Sequence, residues 1–456
     1  MIEHFLKERQ LLTSLFLLFI TFIKPTDLLA VGEFYDETGF RSNKTYIRYS
    51  PQEYINPFSG NLILSHTDII LSGNGGLDIK IQRTYNSKIF SEITSGTFEV
   101  AGGVLGSLGV GWDLHFGRIS DLGLLKNVSL FNANPFFLQM PDGSIHSIFN
   151  NDHPNINSNV NSQFITEDFW IINYDGVNNR YIMTLPDGTV YTFGQHVTDS
   201  LSYSFYYVTS IKDKNGNEIS IEYFDCCNMS DTNPDSGNIG TCNNSNPLTK
   251  TRHIKRVIDS MGRVINFSML NNVCRGNAIS SIDVNGSVYN YIYFPGTEGF
   301  PFTEPIVFYD GGSARLLKEV KPPVGPSWQY FYDVDTNDGE PDGELISVTY
   351  PSGGTVQYDY ETFVLNLLLD STNQPKPSNF RATVSRTQSG PNITPGTWTF
   401  SYAPASPQDT TIVTDSCGTK EVYKFFGLRE GSFNGVWSIG LLYRKENNDI
   451  NDNLFE

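Results

Sequence analysis

From residue 60 onward, apolar and polar positions alternate in short runs. Leu77, Ile79 and Ile81 interleave with Asp78, Lys80 and Gln82, a period of two that predicts strand. The run before it, NLILSHTDIIL, is separated from it by Ser72-Gly73-Asn74-Gly75-Gly76, whose glycines suit a tight reversal, so the two predict a hairpin. A looser unit then recurs: YIMTLPDGTVYTFG, VTSIKDKNGNEISIEYF, IKRVIDSMGRVINFSM, ISSIDVNGSVYNYIYF, LISVTYPSGGTVQYDY and IVTDSCGTKEVYKFFG, with PDGSIHSIF as a partial copy. Each is an apolar strand, a polar turn carrying Gly143, Gly188, Gly216, Gly262, Gly286, Gly353 or Gly418, and an alternating strand ending in Tyr or Phe. One hairpin cannot bury such an aromatic face alone, and stacked neighbours can. Between these regions, AGGVLGSLGVGWDLHFGRI has glycines suited to close backbone approach around Trp112. No amphipathic helix is expected after residue 30. The pattern predicts an all-β chain, a long antiparallel sheet of stacked hairpins.

Composition agrees with that expectation. Aromatic residues are 13% of the 456, with 24 Tyr and 32 Phe to bury, while charged residues stop at 18%, too few for a disordered acidic chain. The net charge of −18, with no basic run interleaved with aromatics, excludes a nucleic-acid partner. At the start, Lys7 and Arg9 precede the apolar run Leu11 to Ile23, and Ala30 stands before Val31. The run is short for a membrane span and fits a signal-peptide core. Residues 1–30 are therefore expected to be a cleaved signal peptide on a secreted or cell-surface protein with no further membrane anchor. Of the five cysteines, Cys226, Cys227 and Cys242 bracket an Asn/Ser-rich loop, and Cys274 and Cys417 stand apart. An exported chain favours a loop staple or free thiols here, because no CxxC or nearby His pair offers zinc spacing.

The stretch NPFSGNLILSHTDIILSGNGGLDIKIQRTYNS, residues 56–87, resembles the opening module of RHS/YD-repeat proteins. Its marks are Gly60-Asn61, Thr67-Asp68, the Ser72 to Gly76 turn and Arg83-Thr84-Tyr85-Asn86-Ser87; Leu108 to Gly117, LGVGWDLHFG, is similar to the sequel. The later hairpins resemble YD repeats, with the literal pair at Tyr332-Asp333 and Tyr358-Asp359. The resemblance divides the chain into a linker (31–55), an RHS module (56–125) and a YD-like sheet region (126–456). It implies a sheet that winds into a shell, as in toxin-enclosing proteins and teneurin-like ectodomains. Toxin-type shells end in paired Asp-Pro-x-Gly steps, and no Asp-Pro step occurs here. The expectation is the front part of a non-enzymatic shell that encloses or delivers a toxin-like cargo. Its bare apolar inner face would be met by a partner, a cargo or a second copy. The alternative is a cell-surface adhesin or carbohydrate-binding β protein.

Candidate chemistry is sparse. Asp333, Asp335, Asn337 and Glu344 fall at positions one, three, five and twelve of a calcium-loop pattern, but position six is Asp338 rather than Gly; the plainer reading is an acidic hairpin tip. His66, His115, His146 and His196 lie in or beside strands, with no GxSxG-type motif. Acidic residues sit mostly in turns, where solvation explains them. Trp170, Trp328, Trp398 and Trp437 could stack sugars or pack in a core. Tyr85 is expected to be structural, its buried hydroxyl needing a partner. No catalytic, cofactor-binding or metal-binding residue, and no cofactor, is assigned from the sequence.

Overall fold

A computed structural model describes residues 39–94, 97–100, 105–121, 136–150, 163–198, 204–226, 249–270, 278–294, 315–333, 343–369, 375–403, 409–427 and 438–449. The expected signal segment and the Cys227, Cys242 and Cys274 positions lie outside them. Among the described residues there is no α-helix, and strands account for nearly all regular structure. None of their segments is a helix long and apolar enough to cross a membrane.

Two sheets carry the architecture. The N-terminal sheet has five strands in the order Ile47–Ser50, Glu53–Ile55, Leu62–Leu71, Ile79–Asn86 and Trp112–Asp113. The second sheet runs through 22 consecutive antiparallel strands, from Arg118–Asp121 to Leu442–Asn448. Its first strand also pairs with Ser204–Lys212, in register Arg118↔Tyr207 to Asp121↔Ser204. Eight strands therefore close into a ring before the sheet continues.

The repeated turn is visible in the hydrogen bonds. Gly143 N donates to Met140 O (3.0 Å) and Met140 N to Ser144 O (2.8 Å). The same pair of bonds closes the turns at Leu185, Asp213, Asp259, Tyr350 and Asp415. This is a type I turn followed by a left-handed residue, the three-residue hairpin connection. The glycine at the left-handed position has φ between +77° and +89° in all six, where a Cβ would be strained.

Tyrosines set how successive hairpins meet. In five of them the two strands stop pairing at Ser210↔Ser220, Ser281↔Asn290, Glu319↔Gln329, Ser347↔Gln357 and Ser385↔Thr399. Three residues beyond, on the second strand, stand Tyr223, Tyr293, Tyr332, Tyr360 and Tyr402. Their hydroxyls donate to the carbonyls of Val208, Ile279, Leu317, Leu345 and Thr383, each two residues before the last pair, at 2.6–2.9 Å. Four of these rings then face the next hairpin across a register shift: Tyr223↔Ile254, Tyr293↔Leu317, Tyr332↔Leu345 and Tyr360↔Thr383. A bulge bends and twists a strand, and each hydroxyl satisfies a carbonyl that the splayed ladder has released. The aromatic end of the repeat is thus the device that turns the sheet.

The N-terminal sheet lies across one face of the long sheet. Its contacts run from Phe40, whose carbonyl accepts from Ile145 N (2.8 Å), to Pro57, whose carbonyl accepts from Thr411 Oγ1. Tyr330, Leu345, Tyr358, Phe380, Phe400 and Phe425 are all buried in the shared core. The apolar face expected to lie bare is therefore covered, along these strands, by the chain's own N-terminal sheet.

Candidate functional site

Charged groups are concentrated where the two sheets meet. In the hairpin of Leu62–Leu71 with Ile79–Asn86 the register slips between Thr67 and Ile69, so Asp68 is the extra residue and its carboxylate is re-aimed. It accepts from Arg83 Nε at 3.0 and 2.9 Å and from Tyr291 Oη at 2.9 Å. Arg83 is fully buried. It also donates to Tyr330 Oη, and its guanidinium lies 5.3–5.5 Å from the ring centroids of Trp112, Trp328 and Tyr330. A desolvated guanidinium gains most from such faces.

Two more buried pairs lie at the seam, one between the sheets (Glu53–Arg386) and one within the long sheet (Glu344–Arg381). Glu53 Oε1 and Oε2 accept from Arg386 Nε and Nη2 at 2.5 and 2.9 Å, and Tyr358 Oη donates to Oε1 at 3.0 Å. Arg386 stacks on Tyr49 and Trp398. Glu344 takes Arg381 Nε and Nη2 at 3.1 and 2.5 Å. The carbonyl of Arg381 accepts from Lys88 Nζ, which also reaches Ser59 O at 2.8 Å. Backbone approach is equally close. A Cβ on Gly60 would lie 2.2 Å from Ala382 Cβ, and one on Gly111 would lie 2.4 Å from the Tyr85 ring.

The expected residues divide accordingly. Tyr85 is buried, and its hydroxyl accepts from Leu345 N at 3.0 Å, a structural role. Glu344, read as the last calcium-loop ligand, is buried on Arg381 instead; residues 334–342 lie outside the described residues. His66 is buried between Trp328 (4.2 Å) and Trp112 (6.0 Å), with Nδ1 3.1 Å from Gln52 Oε1. Burial, then Arg83, holds its pKa well below the ordinary value. Burial likewise lowers His115 to about 4, although Asp113 opposes the shift. His196 stacks on Tyr206 at 4.4 Å. Trp170, Trp328 and Trp398 pack on His146, His66 and Arg386 respectively, and Trp437 lies outside the described residues. Cys417 is an exposed free thiol.

One cluster was not visible in the sequence. His146 Nδ1 is 2.5 Å from Asp168 Oδ2, and its Nε2 is 3.1 Å from Ser144 Oγ, which donates to Asp142 Oδ1 at 2.7 Å. Beside them lie Glu167, Arg41 (3.8 Å from Glu167 Oε1) and Ser42, which donates to Asp168 Oδ1 at 3.1 Å. The order Ser144–His146–Asp168 has the connectivity of a nucleophilic triad. Yet the serine proton is spent on Asp142, and Ser144 and His146 are both buried.

Residues 52–119 match a domain of unknown function, DUF6531. The matched segment is the one that supplies Glu53, Asp68, Arg83, Tyr85, Lys88 and Trp112 to the seam. No curated protein sequence matches the chain. Among solved structures, the N-terminal domain of the effector protein SpvB from Salmonella typhimurium strain LT2 is 13% identical. That match covers 72% of this chain and 100% of the other, with a TM-score of 0.25. The Tc holotoxin pore of Photorhabdus luminescens is 11% identical over 85% of this chain and 19% of that one, with a TM-score of 0.29. A TcdB2–TccC3 complex with Cdc42 is 12% identical over 80% of this chain and 18% of that one, with a TM-score of 0.28. The chain thus spans about a fifth of the Tc chains it is similar to. Superpositions this partial establish no function.

Proposed function

We propose that the chain is a non-enzymatic wall segment of an exported RHS/YD-type shell, in which the N-terminal module is the internal surface that the wall is built around. The observation that carries this reading is the use made of the module's marked residues. Asp68, Arg83 and Tyr85 each bond to the long sheet, as do the flanking Glu53 and Lys88. A buried ion pair contributes little net stability, but it penalises misdocking heavily, which is what a winding sheet needs to keep register. The described tryptophans that could have stacked sugars are occupied by His or Arg partners, so the adhesin reading gains no support.

In this reading a toxin-like polypeptide, or the wall segment that completes its enclosure, is the partner. Co-expression of the chain with the product of the adjacent reading frame tests it, read by gel filtration and protease protection. Co-elution with the partner shielded from protease is expected. A partner that elutes separately and is digested at its free rate would refute the shell role, and turnover of any ester or glycoside by the chain, lost in Ser144→Ala, would refute the non-enzymatic one.

A further inference from the structure

We infer that His146, Glu167 and Asp168 form a site for one divalent transition ion of the zinc class, placed where the N-terminal segment meets the long sheet. One ligand atom from each of the three residues lies within 4.8 Å of the others. Two adjacent elements supply them. His146 stands on the strand Ile145–Asn150, and Glu167 and Asp168 form the turn between Phe164–Thr166 and Ile171–Asp175. That turn is held by Phe169, a bulky residue at φ +62° and so in a costly conformation.

Proton accounting at the imidazole makes the case. Ser144 has one hydroxyl proton, and its 2.7 Å contact with Asp142 Oδ1 uses it. Ser144 Oγ must then accept from His146 Nε2, which fixes the ring proton on Nε2. The relay Nε2–H to hydroxyl to carboxylate is the arrangement that orients a metal-bound histidine through its second nitrogen. It leaves Nδ1, a lone pair, 2.5 Å from Asp168 Oδ2, another lone pair. Two acceptors at that distance require a cation between them, either a second imidazole proton or a metal ion. Glu167 decides for the metal. Its Oε2 is buried and has no hydrogen-bond partner among the described residues, whereas a proton shared by His146 and Asp168 offers that atom nothing. Beside the two turn carboxylates stands Arg41, 3.8 Å away on Glu167 Oε1, and it also donates to Ser147 Oγ.

Imidazole with carboxylates suits Zn²⁺ and its neighbours rather than Ca²⁺, which takes oxygens alone. The carboxylate side chains are 22% and 30% exposed, so an ion can enter from solvent and a water can fill the fourth position. With metal bound, Nδ1 and Oδ2 should separate to about 3 Å, the span set by two bonds of ~2.0–2.1 Å. The site does not depend on the shell reading.

The test uses the full chain, stripped with chelator and titrated with Co²⁺, then with Zn²⁺ as competitor. One equivalent of Co²⁺ should give visible d–d bands without thiolate charge-transfer absorption, and Zn²⁺ should abolish them and raise Tm. Glu167→Gln and Asp168→Asn, which keep shape, should each weaken Co²⁺ at least tenfold while retaining the far-UV circular dichroism of the parent. Ser144→Ala, a positioning change, should weaken it by about 10–100-fold. Absence of bands in the folded parent would overturn the site in favour of an imidazolium. So would bands that persist unchanged in both carboxylate variants, which would place the ion on the cysteines.

Discussion

Replacing Arg83 by Met removes a fully buried guanidinium from three rings and leaves Asp68, itself almost wholly buried, with only Tyr291 and its backbone surroundings. Removing one member of a buried pair costs about 3–5 kcal/mol, because the remaining charge stays desolvated. The thioether fills most of the stem volume, so little cavity cost is added. At roughly 2 °C per kcal/mol, the low end for large domains, Tm should fall by about 6–10 °C. The double variant Asp68→Leu with Arg83→Met removes both charges, and buried pairs replaced by apolar groups come out near neutral or better. Its Tm should therefore recover to within about 3 °C of the parent. Calorimetry or circular dichroism melting of the parent, both single variants and the double variant completes the cycle. A double variant as unstable as the sum of the singles would refute the claim that the penalty comes from the orphaned charge.

Other outcomes follow from the same contacts. Tyr402→Phe removes one hydroxyl from the Thr383 carbonyl and should cost about 1–2 kcal/mol in urea unfolding; Tyr332→Phe, which also orphans Trp112 Nε1, should cost about twice that. Gly111→Ala, at φ +74° with a Cβ 2.4 Å from the Tyr85 ring, should cost at least about 2 kcal/mol by the same assay. Stability should fall on acidification: His115 and His253 are held at about 4 and about 3 chiefly by burial. Their folded values thus lie below the unfolded 6.5, and the stability present above that value is lost as pH drops from it through the folded values. The slope should be about 1.4 kcal/mol per pH unit for each neutral histidine in that window, and His253→Gln should flatten it. A pH-independent melting curve between 6.5 and 4 would contradict the assignment.

Local structure was legible in the chain because it is encoded locally. Asp-x-x-Gly turns such as Asp213 to Gly216 and Asp259 to Gly262 declare themselves, since a side-chain oxygen and a left-handed glycine act within five residues. The motif at 56–87 was legible too, but its meaning was not. That Arg83 serves Tyr330 and Trp328, or that Glu53 serves Arg386, depends on pairings 247 and 333 residues apart. Acidic residues were expected to sit mostly in turns, and Glu53 and Glu344, buried at the seam, are exceptions for that reason. Closure of the eight-strand ring, Arg118–Asp121 on Ser204–Tyr207, has no local signature. His146 meets Glu167 and Asp168 only because the strands Ile145–Asn150 and Phe164–Thr166 pair across residues 151–162.

The N-terminal sheet and the long sheet should unfold as one cooperative core. Hydrogen exchange followed by mass spectrometry measures this directly in the full chain. Amides of Leu62–Leu64 and Ile81–Tyr85 should exchange at the same slow, globally limited rate as those of Tyr330–Tyr332, Leu345–Val348 and Phe380–Arg386, and Arg83→Met should speed all of them together. Fast, independent exchange of the N-terminal peptides, with the long-sheet peptides still protected, would contradict the account.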